Sequence, residues 1–204
     1  TENGIDITDE STLAELAAEA ADTVLLLAAK ADVDCCEQDK PLADHGLAWK
    51  INVDGVANVV TLCKNTGKKL IFISTDFVFD GENVPAGGYS EEDQPHPTNW
   101  YGITKRKGEE IVLSSGIPFL ILRIAYPYRS KFSNKNDFVQ AMKNRLESGK
   151  ELFGVTDHIM TPTYVDDITL SLEVLLEGKK EGIFHVVGSE HISPYDAALT
   201  IADV

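Results

Sequence analysis

The chain has 204 residues, 43% of them hydrophobic, enough to bury a real core and consistent with one domain. Its 33 acidic against 18 basic side chains leave a formal net charge of -15, which repels a phosphate backbone or an anionic membrane surface and argues against nucleic acid and membrane as partners. Three cysteines, Cys35, Cys36 and Cys63, provide no disulfide framework and point to a reducing, cytoplasmic setting.

The chain starts at Thr1 without a Met and stops at Val204 inside a helical pattern, so a fragment of a longer protein is expected. A short apolar run, Gly4-Ile5-Asp6-Ile7, is followed by a helical pattern over 10–21, with Asp9 or Ser11 as its start signal. The run Thr23–Ala29 predicts a buried strand and is far too short to span a membrane. A long helix is predicted over 41–66, then a strand over Lys69–Ser74. The connection from Phe79 to Thr98 carries the turn signals Asp80-Gly81 and Gly87-Gly88 and the acids Glu91, Glu92 and Asp93, the marks of a solvated surface loop. A helix over 99–115 opens on Asn99, and a strand over Pro118–Ile124 follows. Helices over 136–148 and 166–177, a strand over Gly182–Val187 and a helix from Ser193-Pro194 complete the pattern.

Short apolar strands alternating with helices predict an α/β fold, a Rossmann-like doubly wound parallel sheet. In such a sheet ligands bind beyond the carboxyl ends of the strands. Ala28-Ala29-Lys30, Ser74-Thr75-Asp76 and Ile124-Ala125-Tyr126 stand at three of those ends. Tyr101 and Lys105, spaced i, i+4, share one helix face, so the ammonium is expected beside the phenol, favouring its ionised form and making it a usable general acid. The hydroxyl of Thr75 would hold a substrate carbonyl beside that phenol.

The blocks AAKADVDCCE (28–37), ISTDFVFDG (73–81), YGITKRKGE (101–109) and PTYVDDI (162–168) resemble the extended short-chain dehydrogenase/reductases, most closely the dTDP-4-dehydrorhamnose reductase branch. The resemblance implies NAD or NADP as cofactor and a nucleotide-sugar as substrate. It makes Thr75, Tyr101 and Lys105 catalytic, with Lys105 also holding the nicotinamide ribose. It puts Asp6 and Ile7 on the adenine side, Ala28, Ala29 and Lys30 beside the diphosphate and nicotinamide ribose, and Asn52 as a polar contact. Each of these has a plainer alternative: a strand end for Asp6, tight packing for Ala28-Ala29, a satisfied buried amide for Asn52. Val33, Phe77 and Tyr126 fall on the substrate side. Residues 1–125 would be a partial dinucleotide-binding portion and 126–204 a small, interleaved substrate portion, with a homodimer as an open option.

The departures from the family pattern matter equally. No glycine-rich phosphate-binding turn occurs, so the first strands and the glycine loop are expected to precede this chain. Where the reductases resemble Asp-Gln-x-Gly-x-Pro-Thr, this chain has Asp157-His158-Ile159-Met160-Thr161-Pro162-Thr163, and their Ser-Trp becomes Ala125-Tyr126. Those changes leave the sugar open. Two rivals remain: an epimerase or dehydratase using the same three groups, and a partner-binding protein similar to the regulatory subunit of methionine adenosyltransferase, which shares Asp157-His158.

Other features have bland explanations. The five histidines show no metal spacing, and His185 in an apolar strand suggests a hydrogen-bonded core imidazole. Asp166-Asp167 suits a helix N-terminus, and Cys35-Cys36 lacks the spacing of zinc or redox sites. The basic patch 131–135 is a solvated loop or, as a minority alternative, a contact for a nucleotide diphosphate.

Overall fold

The computed structural model describes residues 4–82, 84–130 and 136–203, so the basic patch 131–135 lies outside the described residues. The predicted strands all form: β1 (Thr23–Leu26), β2 (Lys69–Thr75), β3 (Phe119–Ile124) and, late in the chain, β6 (Gly182–His185). They make one four-stranded sheet in the order β1-β2-β3-β6, with β1 parallel to β2 and β3 parallel to β6. The two short strands β4 (Pro127–Tyr128) and β5 (Thr163–Tyr164) form a separate parallel pair that their length hides from any periodicity argument. Leu70, Phe72, Leu120, Ile121 and Leu122 are fully buried, which is why β2 and β3 read as unbroken apolar runs.

The chain divides into two compact units. The first holds residues 1–123 and 181–185, and the second 124–180 and 186–204. In the first unit the helix predicted over 10–21 is a 3-10 turn, Glu10–Leu13, followed by α1 (Ala14–Ala18), with Asp9 rather than Ser11 as the cap. After β1 comes α2 (Val33–Asp39), which the sequence pattern did not suggest. Its apolar content is low, and the Asp32 carboxylate starts it by accepting from the Cys35 N–H at 2.8 Å.

The long helix expected over 41–66 is broken. A 3-10 stretch, Lys40–His45, contains Ala43 at φ 47°, and α3 (Leu47–Trp49) begins after Gly46 with the Asp39 carboxylate accepting from the Ala48 N–H. A π-helical segment, Lys50–Asp54, then runs into α4 (Gly55–Thr66). The extra residue that a π turn accommodates re-aims side chains, and here Asn52 lies within that turn. Gly55 has no room for a side chain, since a Cβ there would sit 2.7 Å from the Ile7 side chain.

The helix α5 (Trp100–Ser114) starts where expected, with the Asn99 side chain accepting from the Gly102 N–H at 2.8 Å. The connection ahead of it is more than a solvated loop. Tyr89 stacks on Phe79 with ring centroids 4.2 Å apart and donates to Asp80, while the Glu91 carboxylate accepts from the His185 N–H on β6. In the second unit α6 (Phe138–Glu147) and α8 (Pro194–Ala202) pack together, and α7 (Val165–Glu177) carries Asp166 and Asp167 in its first turn, as dipole complementarity suggests. No described helix is long and apolar enough to cross a membrane, and no described cluster of His, Cys, Asp and Glu could hold a metal ion.

Candidate active site

Tyr101 opens the first turn of α5, and its position is set by a backbone contact. A Cβ on Gly102 would lie 2.1 Å from the Phe77 carbonyl oxygen, so only glycine lets the helix start press against the 3-10 turn Asp76–Val78 that follows β2. That approach brings the Thr75 side chain close enough to act on the Tyr101 phenol and sets the Phe77 and Tyr101 rings edge to face at 5.9 Å. Thr75 is buried. Its hydroxyl donates to the Asp76 carboxylate at 3.0 Å and accepts from the Phe77 N–H at 3.2 Å. Gly102→Ala should therefore lower stability by about 1–3 kcal/mol, as overpacking does, and displace Tyr101. Thermal melts together with crystallography of the variant would show whether the helix start moves.

Lys105 lies one turn further along and is buried, with its Nζ donating to the Ile73 carbonyl at 2.7 Å and sitting 4.1 Å from the Phe72 ring centroid. The expectation that it lowers the phenol pKa needs correction. Burial drives the Tyr101 phenol up to about 12; the neighbouring Thr75 side chain opposes this, and the Asp76 and Cys36 charges add to it. Lys105 does not offset the shift, because burial also drives its own ammonium down to about 7, against an upward pull from Glu109, and its Nζ is committed to the Ile73 carbonyl.

These shifts have a stability consequence. Between about 7 and 10.5 the unfolded chain holds a proton at Lys105 that the folded chain has released, so stability rises with pH across that window. Tyr101 acts oppositely, since its folded value of about 12 exceeds the model-peptide 10.0 and its contribution is lost as pH climbs past 10. Lys105→Met should flatten the rise in melting temperature between neutral pH and the onset of phenol ionisation. An unchanged slope in that variant would mean Lys105 titrates normally.

Asn52 is 1% exposed and takes the form of a satisfied buried amide. Its Oδ1 accepts from the Lys30 N–H at 2.9 Å, and its Nδ2 donates to the Lys30 carbonyl at 2.9 Å and to the Thr104 hydroxyl at 3.0 Å. The Thr104 hydroxyl donates in turn to the Tyr101 carbonyl, so one side chain staples the segment after β1 to the helix bearing Tyr101. The Cys36 thiol also donates to the Lys30 carbonyl. Ala28 and Ala29 are exposed, and Val33 begins α2 half-buried. Asp6 does not end a strand: it sits in an exposed turn, with its carboxylate accepting from the Thr8 N–H and hydroxyl, and the neighbouring Ile7 is buried.

The sequence pattern missed a buried ion pair behind this face. Glu109, one turn beyond Lys105, is 0% exposed; its carboxylate accepts from the Ser74 hydroxyl at 2.6 Å and from Arg123 Nε and Nη2 at 2.9 and 2.8 Å. His185 Nε2 lies 3.3 Å from Arg123 Nη1 and its ring meets Phe79 edge to face, so it is a core imidazole, with its pKa lowered chiefly by burial. The signal was available: an arginine inside PFLILRI demands a buried counter-charge, and Glu109 shares the helix face of Tyr101 and Lys105.

In the second unit Tyr126 adopts φ 42°, uncommon for a side chain of its size, and its hydroxyl lies 3.1 Å from His158 Nε2. Its ring meets Phe138 edge to face, and Tyr128 packs against Phe138 and Tyr164. The two departures from the family pattern noted above, at 126 and 158, are thus bonded to each other. A surface cleft of about 500 Å³ on the first unit, lined by Asp80, His96, Ile103, Arg106 and Glu110 among others, uses the opposite face of α5 and contains none of Thr75, Tyr101 and Lys105.

Known proteins share this architecture. The chain is 32% identical over 203 residues to the probable low-salt glycan biosynthesis reductase Agl14 of Haloferax volcanii, covering 98% of this chain and 65% of that protein. It is 33% identical over 181 residues to methionine adenosyltransferase 2 subunit beta of Bos taurus, covering 84% and 53%. It thus spans between about half and two thirds of these curated relatives. The crystal structure of dTDP-4-dehydrorhamnose reductase from Bacillus anthracis in complex with NADP superposes with a TM-score of 0.87 at 31% identity, over 98% of this chain and 68% of that one. Residues 1–204 match the RmlD substrate binding domain, and the chain belongs to that family.

Proposed function

We propose that the protein is an NAD(P)-dependent oxidoreductase that reduces a keto group on a nucleotide-linked sugar. The observation that carries this reading is the Thr75 side chain placed close enough to the Tyr101 phenol to act on its ionisation, with Lys105 one helical turn away on the same face. The relatives support it: one is named a reductase of glycan biosynthesis, and another is a dTDP-4-dehydrorhamnose reductase solved with NADP.

The residues fit the nicotinamide end of such a cofactor. Tyr101 and Lys105 would line one side, and the backbone of Ala28–Lys30, anchored at Lys30 by Asn52, would offer the other. Residues 1–125 would serve the cofactor and 126–204, with Tyr126, the sugar; Val33 and Phe77 would also face the substrate. When bound, the cofactor supplies the hydride. Tyr101, protonated at neutral pH because its pKa is so high, gives its proton to the developing alkoxide. The Thr75 hydroxyl turns from Asp76 to donate to the same oxygen, and solvent reprotonates the phenolate afterwards.

The test adds NADH or NADPH and a panel of 4-keto nucleotide-sugars and follows the nicotinamide absorbance band. Stoichiometric loss of absorbance with one of them supports a reductase. A cofactor that stays bound and recycles would mean an epimerase or dehydratase instead; Asp76-Phe77, in place of an acidic pair after Thr75, speaks against a dehydratase. A second reading, a non-catalytic regulatory subunit, is favoured by the 33% identity to methionine adenosyltransferase 2 subunit beta. It predicts no ketone reduction and stoichiometric recovery of an enzyme partner on pull-down.

A further inference from the structure

The Glu109 carboxylate joins three elements of the first unit. It sits on α5 one turn after Lys105, accepts from Ser74 on β2 next to Thr75, and is clamped by two nitrogens of Arg123 on β3, with Arg106 Nη1 at 3.3 Å. All four of these bonds end on a side chain with no exposed surface, and none of them involves a group given a chemical step above. Catalysis of the kind proposed needs Thr75, Tyr101 and Lys105 held to within a fraction of an ångström, and a dry ammonium needs a counter-charge.

We propose that Glu109 is a positioning residue for the Thr75, Tyr101 and Lys105 set, fixing the end of β2 through Ser74, locking α5 to the sheet through Arg123, and serving as the counter-charge of Lys105. Its catalytic meaning rests on the reductase reading; its electrostatic meaning does not.

The charge relations around Lys105 favour this assignment. On α5 it lies four residues from both Tyr101 and Glu109, with Arg106 partly exposed beyond. Asp76 after β2 and Cys36 on α2 act on Tyr101 rather than on Lys105. The π-helical segment presents the neutral Asn52, and Arg123 on β3 is already engaged by the carboxylate. Glu109 is therefore the negative charge that opposes the desolvation of Lys105.

The test is an NMR titration of the Lys105 ε-ammonium in this chain, without cofactor or substrate. In folded Glu109→Gln its midpoint should fall by about one unit or more, the size expected when a nearby opposite charge is removed. Glu109→Asp should recover at least half of that shift. Because Glu109→Gln leaves Arg123 without its partner and can fail to fold, the paired variant Glu109→Gln/Arg123→Met is also measured against Arg123→Met, two chains that differ in the Glu109 charge alone. A Lys105 midpoint unmoved by loss of the Glu109 charge in either folded comparison overturns the proposal, even if the melting temperature drops, since a purely structural role would move only the latter. Absence of ketone reduction by the wild-type protein would refute the reductase reading and leave this titration intact.

Discussion

Tyr101→Phe should lower the turnover of ketone reduction by roughly two to four orders of magnitude, the usual contribution of a positioned general acid. At about 1.4 kcal/mol per factor of ten, that corresponds to roughly 3–5 kcal/mol of lost transition-state stabilisation. The variant is a clean probe because the ring is kept. The edge-to-face contact with Phe77 at 5.9 Å survives, and the fold loses at most the hydroxyl's interaction with Thr75, about 1 kcal/mol if it is worth a typical hydrogen bond. Substrate affinity should change little, so the loss should appear in kcat with KM nearly constant. Single-turnover kinetics on variant and wild type, with matched melting curves, are the measurement. Turnover within a few-fold of wild type would remove Tyr101 from the chemistry and, with it, the central argument for a reductase.

Arg123→Met should be the most destabilising of the variants considered. It leaves the fully buried Glu109 carboxylate without its bidentate partner, and breaking a buried pair in this way costs about 3–5 kcal/mol. Arg106, 3.3 Å away and partly exposed, softens the loss and places the expectation near the lower bound. At about 2–4 °C per kcal/mol for a chain of this size, the melting temperature should drop by roughly 6–12 °C. Adding Glu109→Gln to the same chain should restore much of it, because two neutral side chains have no unpaired charge to bury. A double variant as unstable as the single one would show that the packing of Arg123 over Phe79, at 5.1 Å, matters more than its charge.

The α/β class, the four strands of the main sheet and the helix bearing Tyr101 and Lys105 could be read from residue order alone, because each rests on local physics. Buried parallel strands are continuously apolar, as in KLIFIST and PFLILRI, and Asn99 caps the helix through a residue only three positions on. The i, i+4 spacing of Tyr101 and Lys105 likewise follows from helix geometry, and Thr75 is marked by its place at a strand end.

Folding decided what depends on residues distant in sequence. The helix expected over 41–66 breaks first at Ala43 and Gly46, where Gly46 lies against the Asp39 backbone, and then at the π turn, which packs against α5, where Gly108 allows the Asn52 carbonyl to approach to 2.8 Å of its would-be Cβ. That Asn52 staples two segments could not be read without Lys30, 22 residues away, and Thr104, 52 residues away. The ionisation of Tyr101 and Lys105 was misjudged for the same reason. Spacing places an ammonium near a phenol, but the sign of the shift is decided by how much water the fold removes from each, and desolvation outweighs the opposing influence of Thr75 at Tyr101 and of Glu109 at Lys105.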